Sequence, residues 1–296
     1  MVDETKARTS GGLLESLARA LVRAVPERPV DDGLFGPRSL VWRVHRDRSQ
    51  PIAGIRALML QALHPLAMAG VAEHSDWRRD PLGRLEATSG YVSTVTYGER
   101  STALAAAARV RAVHTHVHGV DPATGLAYSA EDPALLLWVH AAIVDSSLDV
   151  VERYGRRLQP DEQDRYVAEM VPFAEVVGVP TGQVPASVAA LHEYMDSVDL
   201  RQATPAAREA IGYLLDPPFL RDEPDDDERQ TWRELSQVAI GTLPEWARTM
   251  YGFAPPPPEL MEREAVRQLL GALEVGFEAQ PGVVEARQRL ELRMRA

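Results

Sequence analysis

Apolar residues recur at steps of three and four along most of the chain, which predicts a succession of helices. Gly11–Val25 puts Leu13, Leu14, Leu17, Leu21 and Val25 on one side of an amphipathic helix, and a loop rich in Pro, Asp and Gly follows to Pro37. Ile52–Glu73 is apolar nearly all round and predicts a helix covered on every side. Pro65 within it removes a backbone donor, so a kink is expected near Gln61–Pro65, with the Gln61 carbonyl left free. Asp80-Pro81 opens a helix that runs to Tyr97, where Gly98 stops it. Ser101–His118 reads as an Ala-rich helix ended by Gly119, and Asp121–Ser129 as a turn-rich loop. Asp132-Pro133 opens a long helix, Ala134–Leu158, closed by Gln159-Pro160. Asp161–Val177, Val184–Arg201, Pro205–Leu215, Glu228–Met250, Glu259–Phe277 and Val283–Arg295 are further helical windows. Strand evidence is thin; Tyr91–Tyr97 is β-branched, but its flanks favour helix. The fold class is all-α, in a single multi-helix domain. Its expected parts are an N-terminal helix and loop (1–36), a main helical domain (37–254) and peripheral C-terminal helices (255–296).

With 45% hydrophobic and 25% charged positions, the 296 residues can bury an ordinary globular core. The longest apolar run, Ala57–Ala72, is interrupted by Gln61, His64 and Pro65 and falls short of roughly 18 residues, so it reads as a buried helix and not a membrane span. Glu15, Arg19 and Arg23 break the apolar run of the N-terminus, which argues against a secretory signal and for a cytoplasmic location. Cysteine is absent, which excludes disulfides, thiolate nucleophiles, iron–sulfur clusters and thiolate-ligated haem. A net charge of −11 speaks against nucleic acid as a partner. All 32 basic residues except Lys6 are arginine, so Schiff-base chemistry and a P-loop lysine have no plausible residue. Gly-rich phosphate loops, G-x-S-x-G and H-E-x-x-H are missing, which removes most support for dinucleotide enzymes and serine hydrolases.

The candidate chemistry is carried by histidine. His140 sits mid-helix, with Leu136, Ile143, Val144 and Ser147 as its neighbours on one face. A buried imidazole needs its nitrogens answered. A hydrogen bond would do so, and so would coordination: a neutral imidazole in a dry helical pocket suits a haem iron, and Ala141 and Ala142 leave room for a flat ring. His114, His116 and His118 form H-x-H-x-H. In a helix His114 and His118 share a face as a possible zinc pair, without a nearby acid to complete the site. Arg111, His114 and Thr115 also converge on one face, where they could polarise bound oxygen or steer a proton. His64, at the kink, is a core histidine or a ligand. Arg84, with Arg78 and Arg79, stands where cofactor carboxylates could be paired, or is simply solvated.

Three blocks together resemble a known family. They are Arg56-Ala-Leu-Met-Leu-Gln-Ala-Leu-His64-Pro65-Leu-Ala-Met-Ala-Gly70-Val with Glu73-His74-Ser75, then Asp80-Pro81-Leu-Gly83-Arg84-Leu85, and Arg109-Val-Arg111-Ala-Val-His114 through Gly119 with Asp132-Pro133-Ala-Leu-Leu-Leu-Trp138-Val139-His140. Over roughly residues 40–250 the chain is similar to the MpaB and latex-clearing-protein oxygenases. The resemblance implies a globin-reminiscent fold whose main domain binds haem b through a proximal histidine, here His140. It implies a distal segment at Arg111, His114 and Thr115, with His114 standing where rubber oxygenases have a lysine. Arg84 and His64 are then expected near the cofactor, and the partners are dioxygen and a hydrophobic, olefinic small molecule. Two other readings stay open: a zinc or iron hydrolase built on residues 114–118, and a non-catalytic helical protein that binds an apolar ligand.

Overall fold

The structure is a computed structural model that describes residues 33–221 and 226–278. The expected helices at Gly11–Val25 and Val283–Arg295 lie outside the described residues. The fold is all-α apart from one small hairpin. In chain order the helices are α1 (Leu40–His45), α2 (Gln50–Ala62), α3 (Pro65–His74), α4 (Pro81–Tyr97) and α5 (Arg100–His114). The hairpin β1 (His118–Val120) and β2 (Ala127–Ser129) precedes α6 (Pro133–Tyr154), α7 (Pro160–Glu169), α8 (Val171–Glu175), α9 (Val188–Ser197) and α10 (Pro205–Leu215). The last helices are α11 (Pro218–Arg221), α12 (Asp226–Thr242), α13 (Glu245–Tyr251) and α14 (Arg263–Glu278).

Helix α6 is the axis of the core. Asp132 caps it by accepting from the Ala134 N–H at 2.9 Å, Pro133 occupies its first turn, and Gly155 follows its last. By length and composition it could cross a membrane, but 67% of its most apolar window is buried by its neighbours, as in a core helix. Trp138, Ala141, Ala142, Val150 and Val151 are fully buried, and each large apolar side chain contributes about 1.5–3 kcal/mol by leaving water. Helix α2 packs along it. Arg56, only 3% exposed, ties three helices together: it donates to Asp145 at 2.7 Å and Ser146 at 2.8 Å on α6, and to the Thr242 carbonyl on α12 at 3.1 Å.

Proline placement corrects three of the expected helices. Ile52–Glu73 is two helices bent by 102°, not one kinked helix. The ring of Pro65 forces His64 into extended backbone (ψ 110°), which makes it the N-cap residue of α3. Asp161–Val177 divides at Met170, where Pro172 lies in the first turn of α8, and Glu228–Met250 divides before Pro244. Helix α4 follows its signals: the Asp80 carboxylate accepts from the Gly83 N–H at 2.8 Å, and Gly98 ends it.

The Ser101–His118 expectation is corrected most. Helix α5 stops at His114, and the chain turns into an antiparallel hairpin with Gly119 opposite Tyr128. The Asp121 carboxylate accepts from the backbone of Ala123 and Thr124, and Gly125 adopts φ +72°, which makes the reversal. Gly119 is needed for close approach, because a Cβ there would lie 2.8 Å from the Tyr128 hydroxyl oxygen.

Candidate active site

Four helices place the sequence-predicted residues. His140 lies on the side of α6 that meets α8, with its ring 6.1 Å from Phe173 at an interplanar angle of 31°. It is 4% exposed, and its Nδ1 is buried with no hydrogen-bond partner. Burial, and secondarily the nearby His45, hold its pKa down at about 3. The imidazole is therefore neutral at ordinary pH, with a ring nitrogen unanswered, at a cost of about 1–3 kcal/mol.

Helices α4 and α5 also reach α8. Phe173 also meets Tyr91 of α4, 5.8 Å away and edge-on. The Tyr91 hydroxyl is buried without a partner, and burial raises its pKa while the charge of Arg111 lowers it. Arg111 donates to the carbonyl of Val176, the C-cap residue of α8, where a cation also favours the helix end. One turn before Thr88 on α4, Arg84 donates to that hydroxyl at 2.8 Å. Water reaches Arg84, yet the protein around it lowers its pKa, as befits a cation lining a recess; it stays charged. His114 is within the field of Arg84. Its Nδ1 is buried without a partner, and burial, then Arg84, hold its pKa down against the pull of Glu131.

The structure thus brings His140 and Tyr91 against Phe173, sets Arg111 at the end of the helix that carries Phe173, and puts His114 within the field of Arg84. It does not bring in the rest. Thr115 is exposed, with its hydroxyl donating to the Ala112 carbonyl and bonded to His116 Nδ1 at 2.9 Å. His64 packs at 6.0 Å from Trp138, and two residues on a helix are about 200° apart, so it lies on the opposite side of α6 from His140. The helical reading of His114 and His118 as one face is corrected, because His118 belongs to β1. Among the described residues, no group of three or more His, Cys, Asp or Glu side chains could hold a metal ion. Tyr91, Phe173 and His45 were not singled out from the sequence. Only their spacing on amphipathic helices marks them, and that spacing equally marks ordinary core.

Beside the recess, an apolar cavity of about 120 Å³ lies between α2, α4 and α6. Ile143 and Ser147, three and seven residues after His140, supply its α6 wall; Leu58 of α2 and Val92 of α4 supply others. His45 closes it, bonded through Nδ1 to the Thr96 hydroxyl and through Nε2 to the Tyr166 hydroxyl, each at 3.1 Å.

Neither the comparison with curated proteins nor that with solved structures finds a match. The comparison with protein families does. Residues 42–274 match the model described as "ER-bound oxygenase mpaB/B'/Rubber oxygenase, catalytic domain". That span contains every helix from α2 to α13 and every candidate residue above, so this chain belongs to the MpaB and rubber oxygenase catalytic-domain family.

Proposed function

We propose that this chain is a haem b-dependent oxygenase of a hydrophobic, olefinic substrate, with His140 as the axial ligand of the iron. The observation that carries the reading is the buried, neutral imidazole of His140 with its Nδ1 unpartnered, beside Phe173, against which the ring of Tyr91, its hydroxyl orphaned, also packs. The residues present fit the cofactor. A neutral imidazole is the ligand form of histidine, Phe173 gives an apolar flank, and Arg84 offers a cation for a carboxylate at the rim. Bound there, the haem would supply the redox chemistry of oxygen activation.

The chain's own part is orientation, dryness and proton handling. His140 and Phe173 are both buried, which keeps the imidazole away from bulk water. His114, neutral and with Nδ1 unpartnered, is suited to exchange a proton at that nitrogen. Arg111 acts through α8: it holds the helix end whose Phe173 supports His140, and is a positioning residue. Thr115 is satisfied within its own turn. The apolar cavity along Leu58, Val92 and Ile143 is suited to the hydrocarbon part of the substrate.

The test is an absorption spectrum of protein produced with ample haem. A Soret band is expected in the wild type and in His192→Ala, on the surface, and is expected to vanish in His140→Ala. A band of equal strength in folded His140→Ala would overturn the assignment.

A further inference from the structure

The lining of the cavity between α2, α4 and α6 is mostly apolar and includes the hydrogen-bonded pair Ser147 and Gln50. Ser147 donates its hydroxyl proton to Gln50 Oε1 at 3.1 Å. Close by, His45 Nδ1 lies 3.1 Å from the Thr96 hydroxyl and its Nε2 3.1 Å from the Tyr166 hydroxyl. The Ser147 bond occupies the Gln50 amide oxygen and leaves its Nε2 turned the other way. That Nε2 is buried and has no partner, although Gln50 lines the cavity.

A buried amide N–H₂ without an acceptor is unfavourable, and a ligand oxygen would satisfy it. None of the side chains lining the cavity is Asp, Glu, Lys or Arg, and burial keeps His45 neutral with a pKa of about 4. A carboxylate or phosphate would be buried there without a counter-charge, which is strongly unfavourable. A neutral acceptor suits the site. Ser147 and His140 are seven residues apart on α6, about 10 Å along the helix. Gln61, at the far end of the cavity, donates to the carbonyl of Val139 at 3.2 Å, so that end lies level with His140.

We infer that the cavity binds an uncharged amphiphile whose carbonyl, ester or hydroxyl oxygen accepts a hydrogen bond from Gln50 Nε2, with its hydrocarbon chain directed toward the His140 end. This rests on the proposed oxygenase reading for its biological meaning, but not for its geometry. It narrows the substrate class from hydrocarbons in general to medium-length chains that carry a neutral oxygen at one end, held about 10 Å from the level of His140.

Calorimetric titration of the full-length protein with 2-octanone and with 1-octene tests this. Wild type is expected to bind both, and Gln50→Leu is expected to shift the ratio of the two dissociation constants about three- to tenfold against the ketone. Ser147→Ala, which releases the amide to rotate, is expected to shift it the same way by less. An unchanged ratio in Gln50→Leu, or no binding of either probe to wild type, overturns the inference. If Gln50→Leu does not fold, an unchanged ratio in Ser147→Ala overturns it instead. The titrations need no turnover, so the two readings fail separately. Loss of the Soret assignment with the ratio shift intact sinks only the haem reading, and a His140-dependent Soret band without the ratio shift sinks only this one.

Discussion

Trp138 and His140, two positions apart on α6, face opposite sides of the same helix and do different work. The Trp138 indole donates to the Gln61 carbonyl at 3.2 Å, where the chain breaks between α2 and α3, and its ring meets His64. The His140 ring faces Phe173 and makes no hydrogen bond through Nδ1. On the Trp138 side the indole is satisfied but His64 Nδ1 is not, and on the other side His140 Nδ1 stands without a partner.

Trp138→Phe therefore separates stability from pigment. Losing the indole–carbonyl bond in a fully buried position should lower unfolding free energy by about 1–3 kcal/mol while the Soret band persists. Urea titration and an absorption spectrum on the same sample measure both.

Arg56 is the largest electrostatic commitment in the core. Arg56→Ala would leave Asp145, itself little exposed, facing Ser146 and a carbonyl with no cation, and should cost about 3–5 kcal/mol. Arg56→Lys should recover only part, because one ammonium cannot span Asp145 and the Thr242 carbonyl in the fixed fork of a guanidinium. Equilibrium denaturation of the two variants gives the order.

Acid should destabilise the protein through His45 before carboxylates titrate. Burial lowers its folded pKa from 6.5 to about 4, so between those values the unfolded chain binds the extra proton. The stabilisation is whole above about pH 6.5 and is lost as pH falls toward 4, at up to about 1.4 kcal/mol per pH unit. His45→Gln should reduce the slope of the stability profile in that window, leaving the part due to His140, as read from denaturation midpoints at constant ionic strength.

His114 and Thr115 should part company. With an isoprenoid olefin as probe, His114→Ala should slow oxygen uptake about a hundredfold or more, the range of a lost proton-transfer group. Thr115→Val should leave the rate within about twofold, because its hydroxyl is bonded to the Ala112 carbonyl and to His116, not to the recess. Equal losses in both variants would restore Thr115 to the site.

Periodicity and capping residues determined the helical class and several boundaries. Asp80-Pro81 to Gly98 and Pro205 to Leu215 stand where their signals put them, because a cap or a proline acts within one turn of itself. The apolar face around His140 and the family blocks were likewise legible, but the Gln61 carbonyl, expected to be free, accepts from the His64 N–H and the Trp138 indole. Tertiary structure decided what no local rule encodes. The α2–α3 bend is set by Pro65 but held by Trp138, 77 residues away. His118 left its helix for a strand because β2 supplied a ladder to pair with. Which histidine is answered and which is left bare depends on the elements packed against it: His45 meets Thr96 and Tyr166, while His140 meets only the ring of Phe173 among the contacts described. Identical imidazoles on identical-looking apolar faces become a structural link or keep a bare nitrogen according to neighbours that are distant in sequence.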